Sequence, residues 1–131
     1  MNSENFWKGI GAIALSSFQF LLGGMDTLLA VLLSLMVMDY ITGVVCAFIR
    51  RKLSSAVGAK GIAKKMFLLA LVALAVQLDK ITGTQGNMFR NFICYFYIAN
   101  EGISILENAV RLGIPVPAKL KKALAQLKKS K

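Results

Sequence analysis

The sequence lacks most of the residues from which enzyme active sites are built. It contains no histidine and only six acidic residues among 131. It also has no GxSxG or CxxC motif, no phosphate-binding loop and no pair of carboxylates at a recognisable catalytic spacing. We therefore predict that the protein is not an enzyme and that it has no catalytic residues, no metal site and no cofactor.

Cysteine and proline are also scarce. Cys46 and Cys94 both lie inside apolar segments, where a free thiol behaves as a small hydrophobic side chain, so no disulfide framework is expected. The two prolines, Pro115 and Pro117, follow the last apolar segment and are expected to end its helix.

Apolar residues and positive charge are abundant instead. Hydrophobic residues make up 56% of the chain, and the formal net charge is +10. A length of 131 residues suits one domain, but this apolar content is unusual for a small soluble domain. We therefore predict a single membrane domain over residues 1–131.

The positions of the charges indicate the kind of partner. Thirteen of the sixteen basic residues fall into two stretches, 50–65 and 111–131, and neither stretch contains an acid. Each begins where an apolar segment ends, which is typical of loops beside a membrane rather than of a nucleic-acid-binding face. We therefore expect a lipid bilayer as partner and no nucleic acid. The predicted basic anchors are Arg50, Arg51, Lys52, Lys64, Lys65, Lys119, Lys121 and Lys122.

Four apolar segments predict an all-α integral membrane protein with three or four transmembrane helices. They cover residues 6–22, 27–49, 64–82 and 88–106. The segment 27–49 is long enough for a tilted span, and Asp26 can cap its first turn. At ~1.5 Å per residue the segment 6–22 reaches only about 26 Å, short of the ~30 Å hydrocarbon core. It could span, lie in the interface or be a cleaved signal peptide.

The basic residues also predict the topology. Because cytoplasmic loops are enriched in lysine and arginine, residues 50–63 are expected to form a cytoplasmic loop and residues 111–131 a cytoplasmic tail. Both termini would then lie in the cytoplasm. In the tail, Leu120, Leu124 and Leu127 share one side of a helix and lysines cover the rest, a pattern typical of an amphipathic helix on an anionic leaflet.

Asp39 lies near the centre of the segment 27–49, where a carboxylate costs about 2.5–3.5 kcal/mol. A partner for Asp39 on another helix would offset this cost, either in a second copy of the chain or within one chain. Gly43 and Ala47 add a small-xxx-small contact on the same helix. The candidate oligomerisation or pore residues are Asp39, Thr42, Gly43, Cys46, Ala47, Ser16, Gln19, Glu101, Ser104 and Asn108. For the last three, a solvated amphipathic turn is the alternative. Ser16 and Gln19 belong to a stripe of small and polar residues on the helix predicted for 6–22. This stripe either packs closely against another helix or faces water.

Three blocks occur in order along the chain: MDYITGVV, SSAVGAKGIAKK and NEGISILENAVRLGIPVPAKLKKAL. Together they resemble the toxin-secretion and phage-lysis holin family over about two-thirds of the chain. The matching positions are Asp39, Tyr40, Thr42 and Gly43; Ser54, Ser55, Gly58, Gly61 and Lys65; and Asn100, Glu101, Ser104, Ile105, Glu107 and Asn108.

The resemblance implies a protein of the bacterial cytoplasmic membrane that accumulates and then assembles into lesions as a large homo-oligomer. Such lesions release an endolysin or, for some relatives, an exported toxin, without direct contact with that cargo being implied. A small proton-coupled four-helix transporter and a structural membrane adaptor are the alternative hypotheses.

Overall fold

The computed structural model describes residues 2–83 and 85–129, with side chains up to residue 126, and these residues form five α-helices without a strand. The all-α prediction is therefore confirmed. The helices are α1 (Ser3–Leu21), α2 (Thr27–Ile49), α3 (Ser55–Thr82), α4 (Met88–Arg111) and α5 (Ala118–Lys129). The predicted domain also includes positions 1, 84, 130 and 131, which lie outside the described residues, as does the side chain of Leu127.

Two side-chain caps decide where α2 and α3 begin. The Asp26 carboxylate accepts a hydrogen bond of 2.9 Å from the Leu29 amide, as the sequence predicts. The Ser54 hydroxyl accepts one of 3.1 Å from the Val57 amide, so α3 begins at Ser55. Most of the predicted loop 50–63 is therefore helical, because a serine cap starts the helix well before the apolar run does.

The core lies where α4 packs against α2 and α3. It is made of leucines and other apolar side chains that recur at helical spacing on each inner face: Leu22, Leu29, Leu32, Met36, Leu68, Val72, Cys94 and Ile98. In contrast, α2 and α3 make few direct contacts with each other. They lie on α4 as two separated walls, which leaves a crevice between them.

The terminal helices relate to this bundle in different ways. Helix α1 has no buried residue, and the contact at its end is a cation-π interaction in which the Lys80 ammonium lies 4.5 Å from the Phe20 ring centre. Helix α5 packs on α4 instead, since a Cβ at Gly102 would lie 2.9 Å from Leu124. Leu124 of the predicted amphipathic tail thus contacts the protein. The binding of the tail to a leaflet stays a prediction.

Two helices in the described residues, α2 and α3, are long and apolar enough to cross a membrane. Few of their side chains are buried in the single chain, whereas a core helix of a soluble protein would be mostly buried. This indicates membrane association. Because α1 and α4 do not meet the same criterion, the predicted number of three or four spans stays a prediction.

Arg90 fastens the turn that joins α1 to α2. Its side chain is 1% exposed and donates to the Leu22 carbonyl at 2.6 Å and the Gly24 carbonyl at 3.0 Å. It also donates to both carboxylate oxygens of Asp26, at 2.8 and 3.0 Å. These bonds hold the pKa of the Asp26 carboxyl below its usual range, against the opposing effect of partial burial. Gly23 has a φ of 83°, and a Cβ there would lie 2.7 Å from Arg90 Nε, so only glycine fits.

The start of α4 is capped by another helix. Asn87, the residue before α4, makes no capping bond with its side chain. The Asp79 carboxylate of α3 accepts the amide hydrogens of Phe89 and Arg90 instead, both at 2.9 Å. The end of α3, the start of α4 and the turn before α2 therefore form one hydrogen-bonded unit.

Replacing Arg90 tests this unit. We expect Arg90→Met to lower the free energy of unfolding by about 2–4 kcal/mol, because the buried Leu22 carbonyl and the Asp26 carboxylate lose their charged donor. Denaturant titration of the protein in detergent micelles measures the change. Arg50→Gln is the matched control: Arg50 is exposed, and its loss should cost no more than about 0.5 kcal/mol. Equal stability of the two variants would contradict the assigned role of Arg90.

Candidate functional site

A charged cluster joins the three central helices. The Lys65 ammonium of α3 lies 2.8 Å from Asp39 Oδ2 of α2 and 2.8 Å from Glu101 Oε2 of α4. The three side chains are only 17%, 14% and 9% exposed, respectively. Ion pairs this shielded from water are costly to break from one side, because the remaining charge is left without a partner.

Lys65 faces inward because of its place on α3. It lies three residues before the buried Leu68, and Val72 and Val76 continue the same inner stripe at intervals of four. Lys64, one position earlier, lies off this stripe and is exposed. The sequence prediction treats both lysines as basic anchors. The structure corrects this for Lys65, whose ammonium is held inside by two carboxylates on other helices.

Neutral side chains complete the cluster. Asn108 Nδ2 donates to Thr42 Oγ1 at 2.9 Å and to Asp39 Oδ1 at 3.3 Å. The Asn108 carbonyl oxygen accepts a hydrogen bond from Arg111 at 3.2 Å. Every buried side-chain nitrogen or oxygen in the described ranges has a partner. The Asp39 carboxylate thus finds its hydrogen-bond partners within one chain. This is one of the two alternatives that the sequence leaves open.

The cluster lies in a cavity of about 920 Å³ bounded by α2, α3 and α4. Tyr40 closes part of it: its ring lies 3.4 Å from the position that a Cβ at Gly61 would occupy, and its hydroxyl donates to the Gly58 carbonyl at 3.5 Å. The glycines of the SSAVGAKG block therefore let the start of α3 approach the Tyr40 ring. Ala47 also lines this cavity.

The structure brings together many, but not all, of the predicted site residues. Those in or beside the cluster are Asp39, Thr42, Gly43, Glu101, Ser104 and Asn108. Cys46 is buried outside the cavity, whereas Ser16 and Gln19 lie on α1, away from it. The basic anchors other than Lys65 are exposed: Arg50, Arg51, Lys52, Lys64, Lys119, Lys121 and Lys122.

Sequence reasoning missed the two cations that organise the bundle. Arg90 stands out in the sequence as a lone arginine at the start of an apolar segment, opposite Asp26 at the start of another. Lys65 stands three residues before an apolar stripe. Both signals were present, but neither specifies its partner. Within the described ranges, no group of three or more histidine, cysteine, aspartate or glutamate side chains could hold a metal ion.

These features define a small all-α, membrane-associated protein with a polar cluster inside and apolar surface outside. The chain belongs to the bacteriophage holin family, whose model matches residues 16–129. This is not an enzyme family, and membership indicates a holin-like function.

Similar chains occur in several bacteria. The protein is 44% identical to an uncharacterized 14.9 kDa protein in the nagH 3' region of Clostridium perfringens, over 92% of each chain. It is 50% identical to an uncharacterized protein of Listeria monocytogenes, over 86% of this chain and 77% of that one. It is 40% identical to an uncharacterized protein of Halalkalibacterium halodurans, over 95% of this chain and 96% of that one. No solved structure matches.

Replacing Lys65 tests the cluster. We expect Lys65→Met to lower the free energy of unfolding in detergent micelles by about 3–5 kcal/mol, because Asp39 and Glu101 would then face each other without a cation. Lys64→Met, one residue away and exposed, should cost no more than about 0.5 kcal/mol.

A compensating variant separates charge from packing. Adding Asp39→Asn and Glu101→Gln to Lys65→Met removes both unpaired charges and should restore most of the lost stability. Failure of this triple variant to recover would show that Lys65 acts through the packing of its side chain rather than through its charge.

Proposed function

We propose that this protein is a holin. It accumulates in a bacterial cytoplasmic membrane, self-associates into a large homo-oligomer and opens holes. These holes collapse the membrane potential and release an endolysin or an exported toxin. The observation that carries the proposal is the match to the bacteriophage holin family over residues 16–129.

The proposed topology follows from the apolar helices and the basic residues. Helices α2 and α3 cross the bilayer, α4 crosses beside them, and α1 either crosses as a fourth span or lies in the interface. The basic turn between α2 and α3 and the tail after Arg111 lie in the cytoplasm, in accordance with the positive-inside rule. The exposed lysines and arginines at these places support this orientation.

Self-association is supported by the surface that one chain leaves uncovered. Exposed apolar side chains cover the outer faces of α2 and α3, and α1 packs against no other helix along most of its length. Since Asp39 and Thr42 are bonded within the chain, we propose that the first contacts between copies use these apolar faces. Opening of a hole would then rearrange the Asp39–Lys65–Glu101 cluster, so that its charges face water.

The cavity also suits a second candidate function. A carboxylate-bearing cavity between three helices is what a small proton-coupled transporter would need at its substrate site. The two hypotheses differ in outcome, because a transporter leaves the membrane sealed and a holin does not. A structural adaptor would change neither the potential nor transport.

Timed expression distinguishes the three. With the protein induced in a bacterium beside a cytosolic cell-wall hydrolase, we expect growth to continue while the protein accumulates. The membrane potential, followed with a fluorescent dye, should then fall abruptly and the hydrolase should escape. A steady potential at full accumulation would contradict the holin proposal, and proton-dependent efflux of a dye would favour the transporter.

The role of Asp39 is testable in the same cells. Asp39→Asn leaves Lys65 paired with Glu101 alone, which removes the excess negative charge from the closed cluster while an oxygen still accepts from Lys65. We expect the closed state to be favoured and the onset of lysis to be delayed at equal protein level. Glu107→Gln removes an equal charge from an exposed position on α4 and should leave the timing unchanged. Identical timing for both variants would remove Asp39 from the mechanism.

A further inference from the structure

The crevice between α2 and α3 has the features of a lipid site. We propose that it binds one anionic phospholipid, with the phosphate at Lys60 and Lys64 and an acyl chain along the apolar walls. This site rests on the proposed membrane location of the protein but not on hole formation.

One stripe of α3 matches an amphiphile along its length. Lys60, Lys64, Leu68 and Leu71 recur at intervals of three or four residues, and all line the crevice. The two lysines come first, about one helical turn apart, and the leucines follow. A ligand lying along this stripe therefore meets cations at one end and hydrocarbon at the other.

The charge balance of the crevice favours an anion. Three cations line it, Lys60, Lys64 and Lys65, against two carboxylates, Asp39 and Glu101, which leaves one positive charge in excess. Lys65 is shared by both carboxylates at 2.8 Å. In the described ranges, no carboxylate forms an ion pair with Lys60 or Lys64, so their ammonium groups are available to a ligand.

The walls suit an acyl chain. Leu68 and Leu71 of α3 line the crevice beyond the level of Lys65. Val44 and Ala47 of α2 line it nearer to Lys60, since α2 and α3 run in opposite directions and Asp39 is level with Lys65. Helices α2 and α3 make few contacts of their own. The volume of about 920 Å³ lies within the range of cavities that bind small ligands, ~300–1,000 Å³. The crevice is partly open, so a lipid can enter it from outside the protein.

The depth of the lysines identifies the source of the phosphate. Lys60 and Lys64 lie on the first turns of α3, between the basic turn at residues 50–52 and the apolar run that starts at Met66, so their long side chains can extend towards cytoplasmic headgroups in the proposed topology. Basic pockets between helices on the cytoplasmic side of a membrane are typical sites for anionic headgroups. We therefore assign the site to a phospholipid rather than to a free phosphate.

Photolabelling of the unaltered protein tests the location. The probe is phosphatidylglycerol with a photoreactive acyl chain, added to the full-length protein in micelles of a zwitterionic detergent. We expect labels on α3 around residues 68–71, one to two helical turns beyond Lys64. Unlabelled phosphatidylglycerol should compete at least about tenfold better than phosphatidylcholine with the same chains, and inorganic phosphate should not compete.

Paired lysine variants test the headgroup contacts. We expect Lys60→Gln with Lys64→Gln to weaken retention of phosphatidylglycerol, measured by native mass spectrometry, by about tenfold or more, since one lysine near an anionic lipid contributes about fivefold. Lys8→Gln with Lys80→Gln removes the same charge from exposed positions outside the crevice and should change retention less than twofold. The labelling experiment does not depend on whether either variant folds.

Four results would overturn this inference. Equal loss of retention in both paired variants would mean diffuse surface charge, and equal competition by phosphatidylcholine would mean an apolar site without headgroup selection. Competition by inorganic phosphate would mean a phosphate site without a lipid. Labels found outside the crevice, together with crosslinks from the crevice of one copy to a second copy, would mean that the crevice is a contact between subunits and not a lipid site. Lipid binding without hole formation would refute only the proposed function.

Discussion

A single ammonium shared by two carboxylates determines how the central helices meet. Lys65 can reach Asp39 and Glu101 at 2.8 Å each only when α2, α3 and α4 hold one rotation and one height relative to each other. Apolar side chains tolerate small slips between helices, whereas a charge buried without its partner does not. The crevice, the contact of Tyr40 with Gly61 and the place of Asn108 beside Thr42 all depend on this register.

Arg90 fixes the positions of neighbouring helices in a similar way at the other end of α3. Asp79 lies fourteen positions after Lys65, about 21 Å along the helix, and its carboxylate receives the first amides of α4, including that of Arg90. The bundle is thus fixed by polar contacts at two levels, with the core packed between them. Because polar groups are satisfied within the chain, the outer faces of α2 and α3 remain apolar. This combination suits a membrane-associated protein, and the uncovered apolar faces are the ones through which we propose that copies meet.

The sequence predicts the helices better than it predicts their contacts. Apolar runs and the Asp26 cap locate α2 closely, since both signals are local. The start of α3 was missed because glycines and lysines in 55–63 suggest a loop, while one serine cap and the approach to Tyr40 stabilise a helix there. Lys65 could not be assigned because its partners lie 26 and 36 residues away on two other helices. No local pattern distinguishes a lysine that reaches headgroups from one that reaches carboxylates.

The exposure of α1 has a further consequence. All side chains buried in the described ranges come after Leu21. Arg90 donates hydrogen bonds to the backbone carbonyls of Leu22 and Gly24, directly after α1. Tilting α1, withdrawing it from the bilayer or pairing it elsewhere therefore costs the core no packing. Under the proposed topology, the same folded bundle is therefore compatible with three crossings and with four.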